Sequence, residues 1–343
     1  MNWFLFIFAS ASWGGSFIAI RFMLDGMPPL AAAGSRTLLA SGFMALFALV
    51  GRKPFPASKK WFPKLSALAL VNFFIPWACL FWGEQFVEPA VASILNSTVP
   101  LFVFLFSIWL LSDEPPTWVR FSGVALGFLG IMMVFGPGLT HFSSDPRSTY
   151  GMVAVTIMSA SYAIGAILTK RFGLGFDILW SISIQCFLAA TGLLILSVVF
   201  EPTTWLQTVW MHPRSLWGML YLSLVSTAIG WIIYFRLIKV WGALRSSATT
   251  YCMPLVAVIL DWFFLDRIPS MLQIFGGTLI LSSVGLIHLT RFPRLKLLSN
   301  RSTVRTDGAE RDKTAGRDRD GEQERLGGDG EGERAPKGVR RSA

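Results

Sequence analysis

The sequence predicts an all-α integral membrane protein: ten transmembrane helices arranged as two inverted five-helix repeats, followed by a disordered C-terminal tail. Three observations predict it. The 343 residues are 53% hydrophobic and only 15% charged, with mean hydropathy +0.55, whereas a soluble protein carries about 25% charged residues. Ten apolar runs approach or exceed the roughly 20 residues needed to cross the hydrocarbon layer. The second half of the chain restates the first at a nearly constant offset.

That offset is clearest in one stretch. Val87 to Leu111 is apolar enough to span a bilayer, yet it holds Pro100 at its centre and Asn-Ser-Thr just before it. Val240 to Leu265 has the same plan around Pro254, 154 residues later, so that Ser93 meets Ser247 and Leu111 meets Leu265. A membrane helix tolerates a central proline where neighbouring helices or water satisfy the freed carbonyl. Two such helices in matching places point to a site between the halves.

The ten runs are 3–24, 30–50, 64–86, 87–111, 118–135, 150–170, 178–200, 216–237, 244–265 and 271–288. Most joints carry turn chemistry, as in Asp25-Gly-Met-Pro-Pro29, Asp113-Glu-Pro-Pro116, Gly136-Pro-Gly138 and Arg267-Ile-Pro269. The joint near Glu84–Glu88 is short, with little more than Gln85-Phe86-Val87 between the third and fourth runs. The first run has no basic leader and continues through Trp13, so it is expected to stay in the membrane rather than be cleaved.

The repeat extends beyond the proline runs. Ser10-Ala-Ser-Trp-Gly-Gly-Ser aligns with Ser159-Ala-Ser-Tyr-Ala-Ile-Gly, and Arg36 with Gln185, at an offset of 149. Phe81-Trp82 aligns with Tyr234-Phe235, and Asp113 and Gly123 with Asp266 and Gly276, at 153. Runs one to five thus recur as six to ten. Five is odd, so the second copy enters the membrane from the opposite face, as in many secondary transporters.

Lys and Arg set the orientation. With the N-terminus inside, the inner loops hold Arg52, Lys53, Lys59, Lys60, Lys64, Arg120, Lys170, Arg171, Arg236, Lys239 and Arg245, and the outer side only Arg21, Arg147, Arg214 and Arg267. Both termini are expected on the cytoplasmic side of the plasma membrane, a bacterial inner membrane. Beyond His288 lie 14 of the 30 basic residues, and 307–333 holds 10 of the 20 acids. Residues 299–343 alternate in charge and lack the apolar residues needed to fold, which fits a solvated cytoplasmic tail and not a nucleic-acid arm.

Ser12-Trp-Gly-Gly-Ser-Phe-Ile-Ala-Ile-Arg21, Pro28-Pro29, Arg36, and the run to Pro100 followed by Leu110-Leu-Ser-Asp-Glu114 resemble the EamA-type transporters of the drug/metabolite transporter superfamily. The resemblance covers about 3–136 and 150–288, the first and second EamA-like five-helix repeats. It implies an exporter of a small metabolite (an amino acid or related compound) working by alternating access through a cavity lined by helices 1, 3, 4, 6, 8 and 9. A multidrug or nucleoside/sugar-type transporter of the same fold is the alternative, and a non-enzymatic membrane channel another. The family's acidic position after helix nine is Asp266 here, followed by Arg267 instead of glycine.

Polar groups at membrane depth are costly, so each needs a partner or a function. The substrate-binding candidates are Trp13, Arg36, Asn72, Trp77, Asn96, Tyr162, Trp231 and Tyr251. Arg36 either meets an anionic substrate group or braces a neighbouring helix. Asn72 and Asn96 offer donor and acceptor together, for a substrate or for another helix. Trp13 and its mate Tyr162 lie too deep for an interfacial belt, and either line a pocket or fill space. Tyr251 holds the post before Pro254. Glu84 and Asp261, near outer helix ends, are the proton-coupling candidates, or else are interfacial acids. Gly123-Val-Ala-Leu-Gly127 has the spacing for close helix packing, within a monomer or, less simply, across a dimer. Cys79, Cys186 and Cys252 read as packing residues. The three histidines are scattered and no His-Glu-x-x-His occurs, so neither a metal, a cofactor nor an enzymatic activity is expected. The expected partners are a small-molecule substrate and the lipid bilayer.

Overall fold

In lipid every backbone polar group must be satisfied within the protein, and the chain meets this with helices. The computed structural model describes residues 2–56, 58–111, 117–135, 146–172, 175, 177–265 and 270–289. The turns at 113–116 and 136–138, the acid Asp266 with Arg267, and the tail 299–343 lie outside the described residues. The helices are α1 (Asn2–Leu24), α2 (Pro29–Val50), α3 (Phe62–Gly83), α4 (Pro89–Asn96 and Val99–Leu110), α5 (Trp118–Phe135), α6 (Pro146–Phe172), α7 (Ile178–Phe200), α8 (Pro213–Trp241), α9 (Ala243–Ser247 and Thr249–Leu265) and α10 (Met271–Leu289). No strand occurs among the described residues. Eight of these helices have the length and apolar composition to cross a membrane; α5 and α9 are shorter.

Prolines that mark turns in the sequence open helices in the fold. Pro29, Pro89, Pro146 and Pro213 each take the first helical position, where a missing N–H costs nothing and the fixed φ suits the helix. The third helix therefore stops at Gly83 and the fourth begins at Pro89, which shortens both relative to the runs 64–86 and 87–111. Gly242, at φ 87°, makes the joint between α8 and α9 in a single residue, a conformation that only glycine adopts without strain. Small polar residues inside the helices return their hydroxyls to the preceding turn, as Ser10 does to Phe6 O (2.9 Å) and Thr156 to Met152 O (2.8 Å).

The packing repeats with the sequence. The most extensive contacts are α5 along α10 and α2 along α7, while α1 packs on α8 and α9 as α6 packs on α3 and α4. Exchanging α1–α5 for α6–α10 leaves this pattern unchanged. Both halves also carry a π-helical segment in the third helix of the unit: Leu70–Phe74 in α3 and Tyr221–Ile229 in α8, which overlap at the 153-residue offset. Sequence reading did not anticipate these. Each widened turn frees a carbonyl, and the first helix of the other half takes it: Ser161 donates to Val71 O (2.9 Å) and Trp13 Nε1 to Ser226 O (2.8 Å).

The small-residue stripe of α5 is used inside the chain. Gly123, Gly127 and Gly130 face Ile287, Ser283 and Gly276 of α10, and Ser283 donates to Gly123 O at 2.7 Å. Across the halves, both carboxylate oxygens of Glu201 accept the N–H groups of Leu30 and Ala31 at 2.7 and 2.9 Å, capping α2 from the end of α7. Glu201→Ala leaves two donors open and is expected to cost about 1–3 kcal/mol, read as a drop of several degrees in the unfolding temperature in detergent. An unchanged melting curve would show that water replaces the cap.

Candidate functional site

The helices are interrupted where the two halves meet. In α4 the break falls at Ser97–Thr98, so Pro100 sits in the first turn of the resumed helix instead of kinking a continuous one. In α9 it falls at Ala248, and Pro254 lies inside the continuing helix. Ser97 Oγ donates to Thr250 O (3.1 Å) and Ser10 Oγ to Thr249 O (3.1 Å), so the first half supplies donors to two carbonyls beside the break in α9.

Beside these breaks lies an interior cavity. It is lined by Trp13, Ser16 and Phe17 from α1, Arg36 from α2, Trp77 and Leu80 from α3, and Asn96 and Val99 from α4. The second half adds Met158 and Tyr162 from α6, Ser226, Trp231 and Tyr234 from α8, and Thr250 and Met253 from α9. The interior offers about 60 Å³ to water, room for a few molecules, against several hundred in an ordinary small-molecule site. A substrate needs this cavity to widen.

Trp231 is the centre of its wall. Its ring lies 5.9 Å from Trp13, 4.5 Å from Phe73, 5.7 Å from Tyr162 and 5.6 Å from Tyr234. Three of the polar handles are engaged, with Trp77 Nε1 donating to Tyr162 Oη at 2.7 Å and Trp13 Nε1 held by Ser226 O. The aromatics thus offer rigid apolar faces, suited to a flat or hydrophobic group.

Arg36 is the charged side chain in that lining. It is 3% exposed, donates through Nη2 to Thr227 Oγ1 at 2.6 Å, and stacks over the Trp77 ring at 4.4 Å, with Phe81 at 5.6 Å. Among the described residues its Nε has no hydrogen-bond partner. Trp77, Leu80, Phe81 and Glu84 follow one face of α3, and Glu84 ends that face, fully buried with both carboxyl oxygens unpartnered. Arg21 donates to the Glu84 carbonyl oxygen at 3.2 Å.

Six of the eight substrate candidates therefore meet in one place: Trp13, Arg36, Trp77, Asn96, Tyr162 and Trp231. Asn96 Nδ2 there approaches Met253 Sδ at 3.2 Å. The other two candidates lie outside this lining. Asn72 lies on the π-helical turn of α3 and donates to Gln185 Oε1 (3.1 Å) and Thr169 Oγ1 (3.3 Å), bridging helices outside the cavity lining. Tyr251 is fully buried against Gly127 and donates to Val124 O at 2.9 Å. Its position before Pro254 turns it toward α5 and away from the cavity. The side chain of Asp261 lies outside the described residues. Sequence reasoning missed Ser16, Phe17, Ser226 and Thr227. For Thr227 the only available signal was the polar run Ser223 to Thr227 in an apolar span, whose turn the π-helix rotates.

The family match now has its structural setting. The EamA-like transporter family matches residues 2–136 and again 149–289. The chain belongs to this family. It is 23% identical over 285 residues to the uncharacterised transporter YoaV of Bacillus subtilis, covering 83% of this chain and 95% of that one. PecM of Dickeya dadantii is 26% identical over 292 residues, covering 84% and 93%. A solved crystal structure of a protein superposes with TM-score 0.67 at 17% identity, covering 87% of this chain and 97% of that chain, which establishes a shared fold. This EamA-family chain is a multi-pass membrane transporter.

Proposed function

We propose that the protein is a secondary transporter of the plasma membrane that exports a small metabolite, an amino acid or related compound, by alternating access. In this reading α5 and α9 also cross the bilayer, giving ten spans in two oppositely threaded halves with both termini in the cytoplasm. The observation that carries it is the cavity at the seam, built in matching fashion from α1, α3 and α4 of one half and α6, α8 and α9 of the other, with Arg36 of α2 added. Rocking of the halves about that seam exposes the cavity to each face in turn. Glu84, buried without a partner, is the proton-coupling candidate.

Counterflow in proteoliposomes against a panel of amino acids, nucleosides and cationic drugs tests this. Saturable exchange supports a carrier, unsaturable flux a channel, and a covalently altered solute an enzyme. Asn96→Ala and Trp13→Ala should each lower exchange several-fold at normal membrane abundance; unchanged flux in both would remove these residues from the site. Tags that place 136–145 and the C-terminus on one face of the membrane would overturn the inverted threading.

A further inference from the structure

The cavity wall carries one built-in positive charge, Arg36, and one turn beyond Leu80 of that wall α3 ends at the buried acid Glu84. Among the described residues, Arg36 Nε and both Glu84 carboxyl oxygens lack a hydrogen-bond partner. Arg36 is held by Thr227 and by the Trp77 face, which fixes the guanidinium plane, yet Nε remains open. An arginine is charged at every physiological pH, and its planar donors match a carboxylate. Glu84 is not within ion-pairing distance of it. The ionisable groups acting on Glu84 are Arg36 from α2 and Arg21 from α1; around Arg36 stand Tyr162, Cys186 and Tyr221 as well. Where α6 meets this turn, at Gly83, it offers Gly151, Ala154 and Val155, which add no charge.

Charge balance in a site shielded from water then links the two groups. With Glu84 ionised, Arg36 and Glu84 already cancel, and an incoming anion leaves one uncompensated negative charge in a low dielectric. With Glu84 protonated, the anion itself neutralises Arg36.

We infer that the cavity takes a small carboxylate anion with a flat or apolar body, bound to Arg36, and holds it only while Glu84 carries a proton. Acid and proton then cross together with no net charge moved. The inference rests on the transporter reading of the same cavity and adds to it the substrate class and the sense of coupling. Outward flow is driven by the acid's own gradient, so the protein acts as an outlet for an accumulated organic acid.

The test uses the full chain in lipid nanodiscs and three probes of like size: phenylacetate, its neutral amide phenylacetamide and the cation phenethylamine. Calorimetric titration in two buffers of different ionisation heat gives both affinity and protons exchanged. Phenylacetate should bind at least about tenfold tighter than the amide, the gain from a hydrogen bond to a charged group. At pH values where free Glu84 is ionised, binding should take up about one proton and affinity should fall about tenfold per pH unit; at lower pH both effects vanish together. Glu84→Gln should bind phenylacetate with no proton uptake and a flat pH profile. Arg36→Gln should lose the preference for acid over amide, with both variants melting near the parent. Equal affinity for acid and amide, proton uptake near zero in the parent with a flat affinity profile across the whole pH range, or no phenylacetate binding at millimolar concentration would each overturn the inference. Saturable counterflow of only neutral or cationic solutes would also overturn it while leaving transport intact. Phenylacetate binding with one proton but no counterflow of any solute would instead sink the transporter reading.

Discussion

Trp231→Ala is expected to abolish counterflow and to lower stability more than any other substitution in the cavity wall. Trp231 is 5% exposed and its ring meets rings from α1, α3 and α6 as well as those of its own helix. Truncating such a residue in a close-packed interior costs about 3–5 kcal/mol, because the surrounding rings lose dispersion contacts that relaxation restores only in part. Membrane helices depend on those contacts, since lipid tails are as apolar as the side chains and give no separate driving force for association. Trp231→Phe keeps most of the contact and separates the two effects. It should melt within a few degrees of the parent while its half-saturation for exchange rises. The assignment of Trp231 to the site fails if the phenylalanine variant transports every solute of the panel with parental kinetics.

Gly276→Leu acts in the opposite way. A Cβ at this position would sit 2.6 Å from Gly130 O and 2.9 Å from Val134 N, both backbone atoms that have no other rotamer to adopt. The α5–α10 contact must open, with an overpacking cost of about 1–3 kcal/mol or more. Neither α5 nor α10 contributes a residue to the cavity lining. The variant should therefore accumulate poorly in the membrane and melt at least several degrees early, yet exchange normally per folded molecule. Parental abundance and melting would mean that the two helices do not approach as closely as these atoms indicate. Loss of specific activity at normal abundance would mean that the pair communicates with the seam.

The contrast between these variants follows the division of the molecule. Lipid-facing side chains such as Trp109 and Phe200, 76% and 74% exposed, carry the hydropathy that made the helices legible. The repeat offset made the seam legible, because Pro100 and Pro254 and the pair Trp13 and Tyr162 recur at matching posts. What periodicity does not encode is the rotation of a side chain about its helix where the helix departs from 3.6 residues per turn. Asn72 and Thr227 both sit on π-helical segments. The extra residue in the turn carries Asn72 toward Gln185 and brings Thr227 under Arg36. Tyr251 shows the same limit at a helix break: its distance from Pro254 fits a cavity residue, yet the restart of the helix at Thr249 aims it at Val124.

By itself the sequence determined the solvent and the plan: apolar runs long enough for lipid, written twice, with polar residues and prolines where the copies face one another. Hydrocarbon admits only helices and closed barrels, and continuous apolar runs of about 20 residues, instead of short alternating ones, select helices. Only the tertiary structure decided which polar groups are spent on holding helices together and which are left open. Asn72 and Asn96 have identical chemistry, and a hydrogen bond to Gln185 removes one while the cavity keeps the other. Arg36 and Glu84 gain their meaning from the donors and acceptors that neighbouring helices fail to supply, and that depends on packing in three dimensions.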